Sequence, residues 1–446
     1  MEYMEEDPEL GMVSEPESNS AIINSLNADC WRLILDYLSV QELLQTERTC
    51  KDWQKLVLHH ISHRRIMIQE SECDENTLIL RKSSDVWPSF KRWLKKCGPS
   101  VQEFDADGQY FRGVMEVLRD TCPNLEVLRL TNLKKKLSPT NTLHFQKLTW
   151  LVFENCDEIT DDCINQFLTS DMNELVIISN KRVTGKFLNN LKAGQMKRLI
   201  LRDCRALKFS FLLTYADRLK NLTDLVLWKK NRSKIEIRSK LHLLLDKMPN
   251  LEQIGFSVVD MFNRYNDQQC LEESNVFFES VCRLEKLHRF NANFDMWDHH
   301  LEALARNCKD LLALHLSCDQ ITREGLDALC RHRGPQLYEL NLSGSALVDD
   351  DIVACIYACP KLLWLDITFC HISAGAVQRI ASARRDMRDN LRDSKYASND
   401  HNNLCFKLLL FIYRRDFNGN EEDFKDVIDL RYKNYRDDDY TSDDEY

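Results

Sequence analysis

The chain has 446 residues, 43% hydrophobic and 29% charged, with a formal net charge of −10. No apolar run reaches the roughly 18 residues that a membrane span needs, and the acidic start MEYMEEDPELGMVSEPESNS lacks the apolar stretch of an export signal. These features exclude a membrane-spanning helix and predict a chain kept in the cytoplasm or nucleus, with its 17 cysteines reduced.

The charge sits at the ends. Residues 1–20 hold seven acids and no base, and residues 436–446 (RDDDYTSDDEY) hold six acids and one base. Both ends read as disordered acidic tails, and the body between them is close to neutral. Small basic clusters at Lys134–Lys136 and around Lys229, Lys230, Arg232 and Lys234 read as solvated loops, so no nucleic-acid partner is expected.

The first predicted elements lie in SLNADCWRLILDYLSVQELLQTERTCKDWQKLVLHHI. Asn27 is a good helix cap and Asp29 suits a first turn. Trp31, Ile34, Leu35 and Leu38 follow helical spacing. A second short helix carries Leu43 and Leu44, and a third carries Trp53, Leu56 and Val57. A unit of about 40 residues folds poorly alone and has more apolar side chains than it can hide. That predicts a partner surface.

From Val101 onward one pattern recurs: apolar, two spacers, apolar, one spacer, apolar. It starts at Val101, Leu125, Leu148, Met172, Met196, Leu222, Leu251, Leu287, Leu311, Leu337 and Leu362. The spacing is 23 to 26 residues except after Leu222 and Leu251, and the longer gap before Leu287 predicts an insertion around DMFNRYNDQQCLEESN. On a strand the fourth and sixth positions share the inward face. Helical halves follow, as in ITREGLDALC, with Thr322 as cap and Leu326 and Leu329 on one side, and in ITDDCINQFL, capped by Thr160 or Asp161. One such unit cannot cover its own apolar face, so neighbours must stack.

The cysteines take fixed places in this period. Cys156, Cys204 and Cys370 fall eight residues after a start; Cys122, Cys308 and Cys359 fall three before the next one. They read as small buried hydrophobes. Cys355 and Cys359 have the i,i+4 spacing of helical metal ligands, but no third ligand accompanies them in sequence. His59/His60 and His299/His300 also lack companions and read as an exposed face. No metal and no cofactor is expected, and no catalytic motif is present.

The repeats (CPNLEVLRL, LTWLVFENCDEITDDCI, NCKDLLALHLSCDQITREGL, CPKLLWLDITFC) resemble the cysteine-containing subclass of leucine-rich repeats. Residues 24–60 resemble an F-box, with Leu26, Asp29, Cys30, Trp31, Ile34, Tyr37, Leu38, Leu43, Leu44, Cys50, Lys51 and Trp53 carrying the likeness. Asn27 stands where the family has Pro, and Thr49 where it has Val. Together they resemble the F-box/leucine-rich-repeat family. The resemblance implies an α/β fold: a curved solenoid with parallel strands inside and helices outside, preceded by a small all-α F-box. The F-box can also cover the open solenoid end.

The expected layout is an acidic tail (1–20), the F-box (24–60), a linker and solenoid start (61–100), about eleven repeats (101–385), a closing segment (386–435) and an acidic tail (436–446). ASARRDMRDNLRDSKYASNDHNN reads as loose, and LCFKLLLFIYRR (404–415) as a last strand or short helix, with 404–433 folding back over the solenoid end.

The family implies a substrate receptor of a Skp-cullin-F-box (SCF) ubiquitin ligase, not an enzyme itself. Leu26, Asn27, Trp31, Ile34, Leu38, Leu43, Leu44, Cys50 and Trp53 would meet a Skp-family adaptor and through it a cullin. A protein substrate would meet the outward strand residues, the third, fifth and seventh of each repeat. These include Arg129, Glu154 and Asp366, with Trp150, Arg198, Arg202, Trp228, Arg289, His315 and Trp364 the leading candidates. Arg129, Arg198 and Arg202 could grip a phosphorylated or acidic segment. Alternatives are a scaffold that promotes no ubiquitination and a small-molecule sensor.

Overall fold

The structure is a computed structural model that describes residues 26–38, 40–62, 65–68, 77–79, 91–92, 94–96, 98–107, 114–134, 145–228, 238–257, 267–293, 295–316, 320–373, 375–392, 407–413, 421–423 and 425–433. Both acidic tails, most of the two basic clusters and residues 393–406 lie outside the described residues. The chain forms two compact units, residues 1–132 with 143–148, and residues 133–142 with 149–446.

In the first unit three helices come first: α1 (Ala28–Asp36), α2 (Val40–Thr46) and α3 (Lys51–Ser62). Strands β1 (Arg65–Ile68), β2 (Thr77–Ile79) and β3 (Glu103–Asp107), helix α4 (Val114–Thr121) and strand β4 (Val127–Thr131) come next. The strands are parallel in the order β2-β1-β3-β4. The first two carry no repeat pattern; they fall in residues 61–100, read from sequence as a linker and the start of the solenoid.

The second unit repeats one design. Its strands are β5 (Trp150–Glu154), β6 (Glu174–Ile178), β7 (Arg198–Arg202), β8 (Asp224–Trp228), β9 (Gln253–Ser257), β10 (Arg289–Asn293), β11 (Ala313–Leu316), β12 (Glu339–Asn341), β13 (Trp364–Asp366), β14 (Leu408–Tyr413) and β15 (Ile428–Lys433). Each pairs in parallel with the next in chain order. Between them run α5 (Asp161–Asn165), α6 (Phe209–Thr214), α7 (Leu241–Leu245), α8 (Asp267–Val281), α9 (Asp298–Asn307), α10 (Arg323–Arg333), α11 (Asp349–Ala358) and α12 (Ala376–Arg392). This is the α/β architecture of parallel strands and helices, preceded in the chain by a small all-α head, that the family resemblance implies.

The core is built by register. Fourth-position residues stand opposite one another from Leu151 through Phe290 to Leu410, none more than 2% exposed. In six repeats the eighth position is left-handed, at Asn132, Asn155, Ser179, Asp203 and Phe369 (φ 51–60°) and at Gly344 (φ 76°). Asn and Asp tolerate that conformation. The chain then turns the ninth residue inward. Asn180, fully buried there, donates to the Cys156 and Ile159 carbonyls and accepts from the Arg182 and Val183 amides. Cys156, Cys204 and Cys370 fill the same place and donate their thiols to backbone carbonyls. Burial pushes Cys156 and Cys308 up to about 12 and Cys122 to about 11. All thirteen described cysteines are free.

Helix starts stitch neighbouring repeats together. Thr160 caps α5, while Asp161 reaches the next repeat, accepting from the amides of Thr184, Gly185 and Phe187 and from the Thr184 hydroxyl at 2.8–3.1 Å. Asp298 holds Thr322, the cap of α10, and Asp349 holds Ser373 in the same way.

Two expectations need correction. Residues 381–392 are not loose: α12 continues through them because Ala376, Val377, Ile380, Ala381 and Ala383 form a buried apolar face. Of the insertion expected around DMFNRYNDQQCLEESN, residues 267–275 lie in helix α8, which buried Phe277, Phe278 and Val281 hold. Residues 404–433 were expected to fold back over the solenoid end; their described strands, β14 (the expected last strand) and β15, instead extend the sheet in the same parallel sense.

Candidate adaptor and receptor surfaces

The first surface is on the N-terminal helices. Asn27 caps α1, its Oδ1 accepting from the Cys30 amide at 2.8 Å. Trp31, Leu35, Leu43 and Val57 form the small core, and Trp31 meets Trp53 edge to face with ring centroids 5.0 Å apart. Trp31 and Leu43, read from sequence as adaptor contacts, are therefore internal: they hold the three helices together and offer no surface. Leu26 and Ile34 are exposed, as is Asn27, while Leu38, Cys50 and Trp53 are half-buried. The side chain of Leu44 lies outside the described residues. The sequence reading missed Leu33 (59% exposed) and left Tyr37 (90% exposed) out of the contact set. The i,i+4 spacing of Leu33 on α1 and Tyr37 at its C-cap was the available signal, since the inward face was already supplied by Trp31 and Leu35. Leu33, Ile34 and Tyr37 leave a contiguous apolar stripe on a polar chain surface.

The small head is tied to the turn at residues 98–100 through the residues just before it. Glu47 is buried, yet its carboxylate accepts from Lys96 Nζ at 2.8 Å and Gln54 Nε2 at 2.9 Å. Burial pushes this carboxyl up, but Lys96, Gln54 and Arg48 outweigh it and hold the group below its ordinary value. His60 is buried rather than exposed, and desolvation with Arg32 and His59 lowers it to about 4. His300 is buried too: its ring lies 4.7 Å from Phe278, Nε2 meets Asn275 at 2.7 Å, and Nδ1 accepts from the Trp297 amide. Both were expected on an exposed face. His59 and His299 do lie there, one residue round the helix from each buried partner.

The second surface is the helix-free face of the sheet from β5 to β14. Its chemistry changes along its length. On β5–β8 the fifth positions Val152, Val176 and Ile200 form an apolar cluster, with Trp150, Ile178 and Val226 packed on it. At β9 the fifth position is Gly255, where a Cβ would sit 3.1 Å from both Val226 methyls. Beyond it the row turns polar, through Asn291, His315, Asn341 and Asp366.

Aromatic and charged groups converge on this second half. Arg289 on β10 and Glu339 on β12 pair through two bonds of 2.7 and 2.8 Å. The residue between them in register is Ala313, small enough to let the guanidinium pass over. His315 meets Glu339 at 3.2 Å and stacks on Trp364 at 4.9 Å, and Trp364 lies 5.2 Å from Phe411. Burial raises the Glu339 carboxyl, and His315 and Arg289 together bring it below its ordinary value.

The leading candidates thus divide. Arg289, His315 and Trp364 come together, with Glu339 and Phe411, which the sequence reading did not single out. Arg198 faces Glu174 at 3.6 Å. Arg202 stands in register between Ile178 and Trp228, with no side-chain ion pair or hydrogen bond among the described residues. Trp150 belongs to the apolar half, remote in register from Trp364. Asp366 is fully buried and accepts from the Thr368 amide, so it serves the fold rather than the surface. Of Arg129, Arg198 and Arg202, expected to grip a phosphorylated or acidic segment, Arg198 is answered by the Glu174 carboxylate; Arg289, outside that set, is answered by Glu339. The helix side adds one cluster: Cys355 and Cys359 gain a third thiol, Cys330, which the sequence reading did not place beside them.

The chain carries an F-box: residues 23–65 match the F-box domain family. A crystal structure of the Rad7–Elc1 complex in yeast is similar at 14% identity and a TM-score of 0.49, over 96% of this chain and 100% of that one. No curated protein sequence matches.

Proposed function

We propose that the protein is the substrate-recognition subunit of a Skp-cullin-F-box ubiquitin ligase. The observation that carries this reading is the exposed apolar set Leu33, Ile34 and Tyr37 on an F-box whose core holds Trp31, Leu35, Leu43 and Val57. Burying a side chain such as Leu33 or Tyr37 against an adaptor is worth about 2 kcal/mol each, and such anchors dominate interfaces. The chain itself performs no chemistry. The F-box anchors it through a Skp-family adaptor to a cullin, and the helix-free face of the repeats holds a protein substrate. A substrate lysine then meets activated ubiquitin at high effective concentration. The apolar cluster at Trp150 and the aromatic pair Trp364 and Phe411 would bind it, in the cytoplasm or nucleus.

The test is co-expression with a Skp-family adaptor and size-exclusion chromatography of the wild type against Leu33→Asp/Tyr37→Asp. Co-elution lost only in the variant supports adaptor docking. Wild-type chain eluting folded and alone overturns it. Adaptor binding without ubiquitination of any captured partner leaves the scaffold reading instead.

A further inference from the structure

Cys330 lies on α10, Cys355 on α11, and Cys359 immediately closes α11. Repeat stacking brings all three thiols together. Cys330 Sγ is 4.0 Å from Cys359 Sγ, Cys355 Sγ is 3.9 Å from it, and the three lie within 4.8 Å of one another. Three sulfurs bound to one cation at about 2.3 Å are themselves about 3.8–4.0 Å apart in tetrahedral or trigonal geometry. Two of the three separations already have that value. The backbone is shaped around the cluster: a Cβ on Gly334 would lie 2.5 Å from the Ala358 carbonyl and 3.4 Å from Cys359 Sγ.

We propose that Cys330, Cys355 and Cys359 form a binding site for a soft, thiolate-preferring cation, zinc in the first instance, that staples α10 to α11. Thiolates select such cations over hard ones. No fourth His, Cys, Asp or Glu joins the set among the described residues, so the remaining position is left to solvent or an outside ligand. Cys330, 9% exposed, is the way in, whereas Cys355 and Cys359 are closed off. Binding is not redox chemistry: three S–H bonds break, three metal–sulfur bonds form, and three protons go to solvent.

The experiment uses the full chain with its adaptor, loaded with zinc or copper(I), desalted, and analysed for metal by plasma mass spectrometry. Wild type and a Cys370→Ser control should each carry about one equivalent, and Cys330→Ser/Cys355→Ala close to none. Cobalt exchange should give the thiolate-to-cobalt charge-transfer band in the wild type and the control, and no such band in the cluster variant. If the double variant does not fold, Cys330→Ser alone and chelator titration of the wild type, read as a fall in Tm, replace it. No bound zinc or copper in the wild type, equal metal in the cluster variant, or a Cys330–Cys359 disulfide in peptide maps each overturns the proposal.

Discussion

Arg289 crosses one whole strand to reach Glu339, passing over Ala313 and binding both carboxylate oxygens at 2.7 and 2.8 Å. The pair consumes a charge that would otherwise attract acidic partners to this half of the face. Because Arg289 is 37% exposed, solvent screens the pair, and a double-mutant cycle of Arg289→Ala and Glu339→Ala should give a coupling of only about 1 kcal/mol in denaturant unfolding. Ala313→Leu should break the same pair by filling the gap, and should bring the single-variant phenotype of Arg289→Ala with it.

The repeats are held by more than their apolar rows. Asp161 answers three amides and a hydroxyl of the following repeat while being 8% exposed. Asp161→Ala strands those donors in a buried setting and should cost about 3 kcal/mol. Thr184→Val removes only one of the four bonds and should cost about 1 kcal/mol. Urea midpoints of the two variants, with unchanged m-values, check the ratio.

Much of this was legible in the chain. The fourth and sixth positions named the inward face from Leu151 onward, and Asn27, Thr160 and Thr322 named helix starts, because period and capping are local properties. What escaped depended on residues brought together only by stacking. Cys330 lies 25 residues before Cys355, one short of the 26 that separate the starts of α10 and α11, so the two hold adjacent places in successive helices; the signal existed but needed the period applied to helices as well as strands. Trp31 and Leu43 were misplaced because a helix too short for a large core must still spend its best apolar residues inside. The segments β1 and β2, four and three residues long, carry no pattern that could announce them.

Buried His300 makes stability depend on pH. Desolvation, with His299 beside it, lowers its ring to about 3, below the ordinary 6.5. The unfolded chain therefore binds a proton that the folded chain refuses, so this contribution is complete above about pH 6.5 and declines as pH falls toward 3. At pH 5 the loss from this residue is about 2 kcal/mol. His60, lowered to about 4, acts in the same direction. Denaturant unfolding at pH 7 and pH 5 should show the drop, and His300→Gln should make it shallower by up to one proton. An equal slope in the variant would place the acid sensitivity elsewhere.

The Lys96 contact with Glu47 couples the F-box helices to the turn at residues 98–100. Glu47 carries a side chain only 4% exposed, and Lys96 supplies its shortest partner. Lys96→Met keeps the aliphatic stem and leaves the carboxylate to Gln54, which should cost the F-box about 1 kcal/mol. The folded carboxyl lies below its ordinary value, so its stabilising effect is present above pH 4.5 and fades as the pH drops through the folded value. Hydrogen exchange locates the effect: amides of α3 should lose protection in Lys96→Met while those of β6 and β7 keep theirs. Adaptor affinity should fall with it in proportion, since the stripe on α1 docks only from a folded head. Unchanged exchange in α3 would mean that Glu47 is held well enough by Gln54 and that the head stands independently of Lys96.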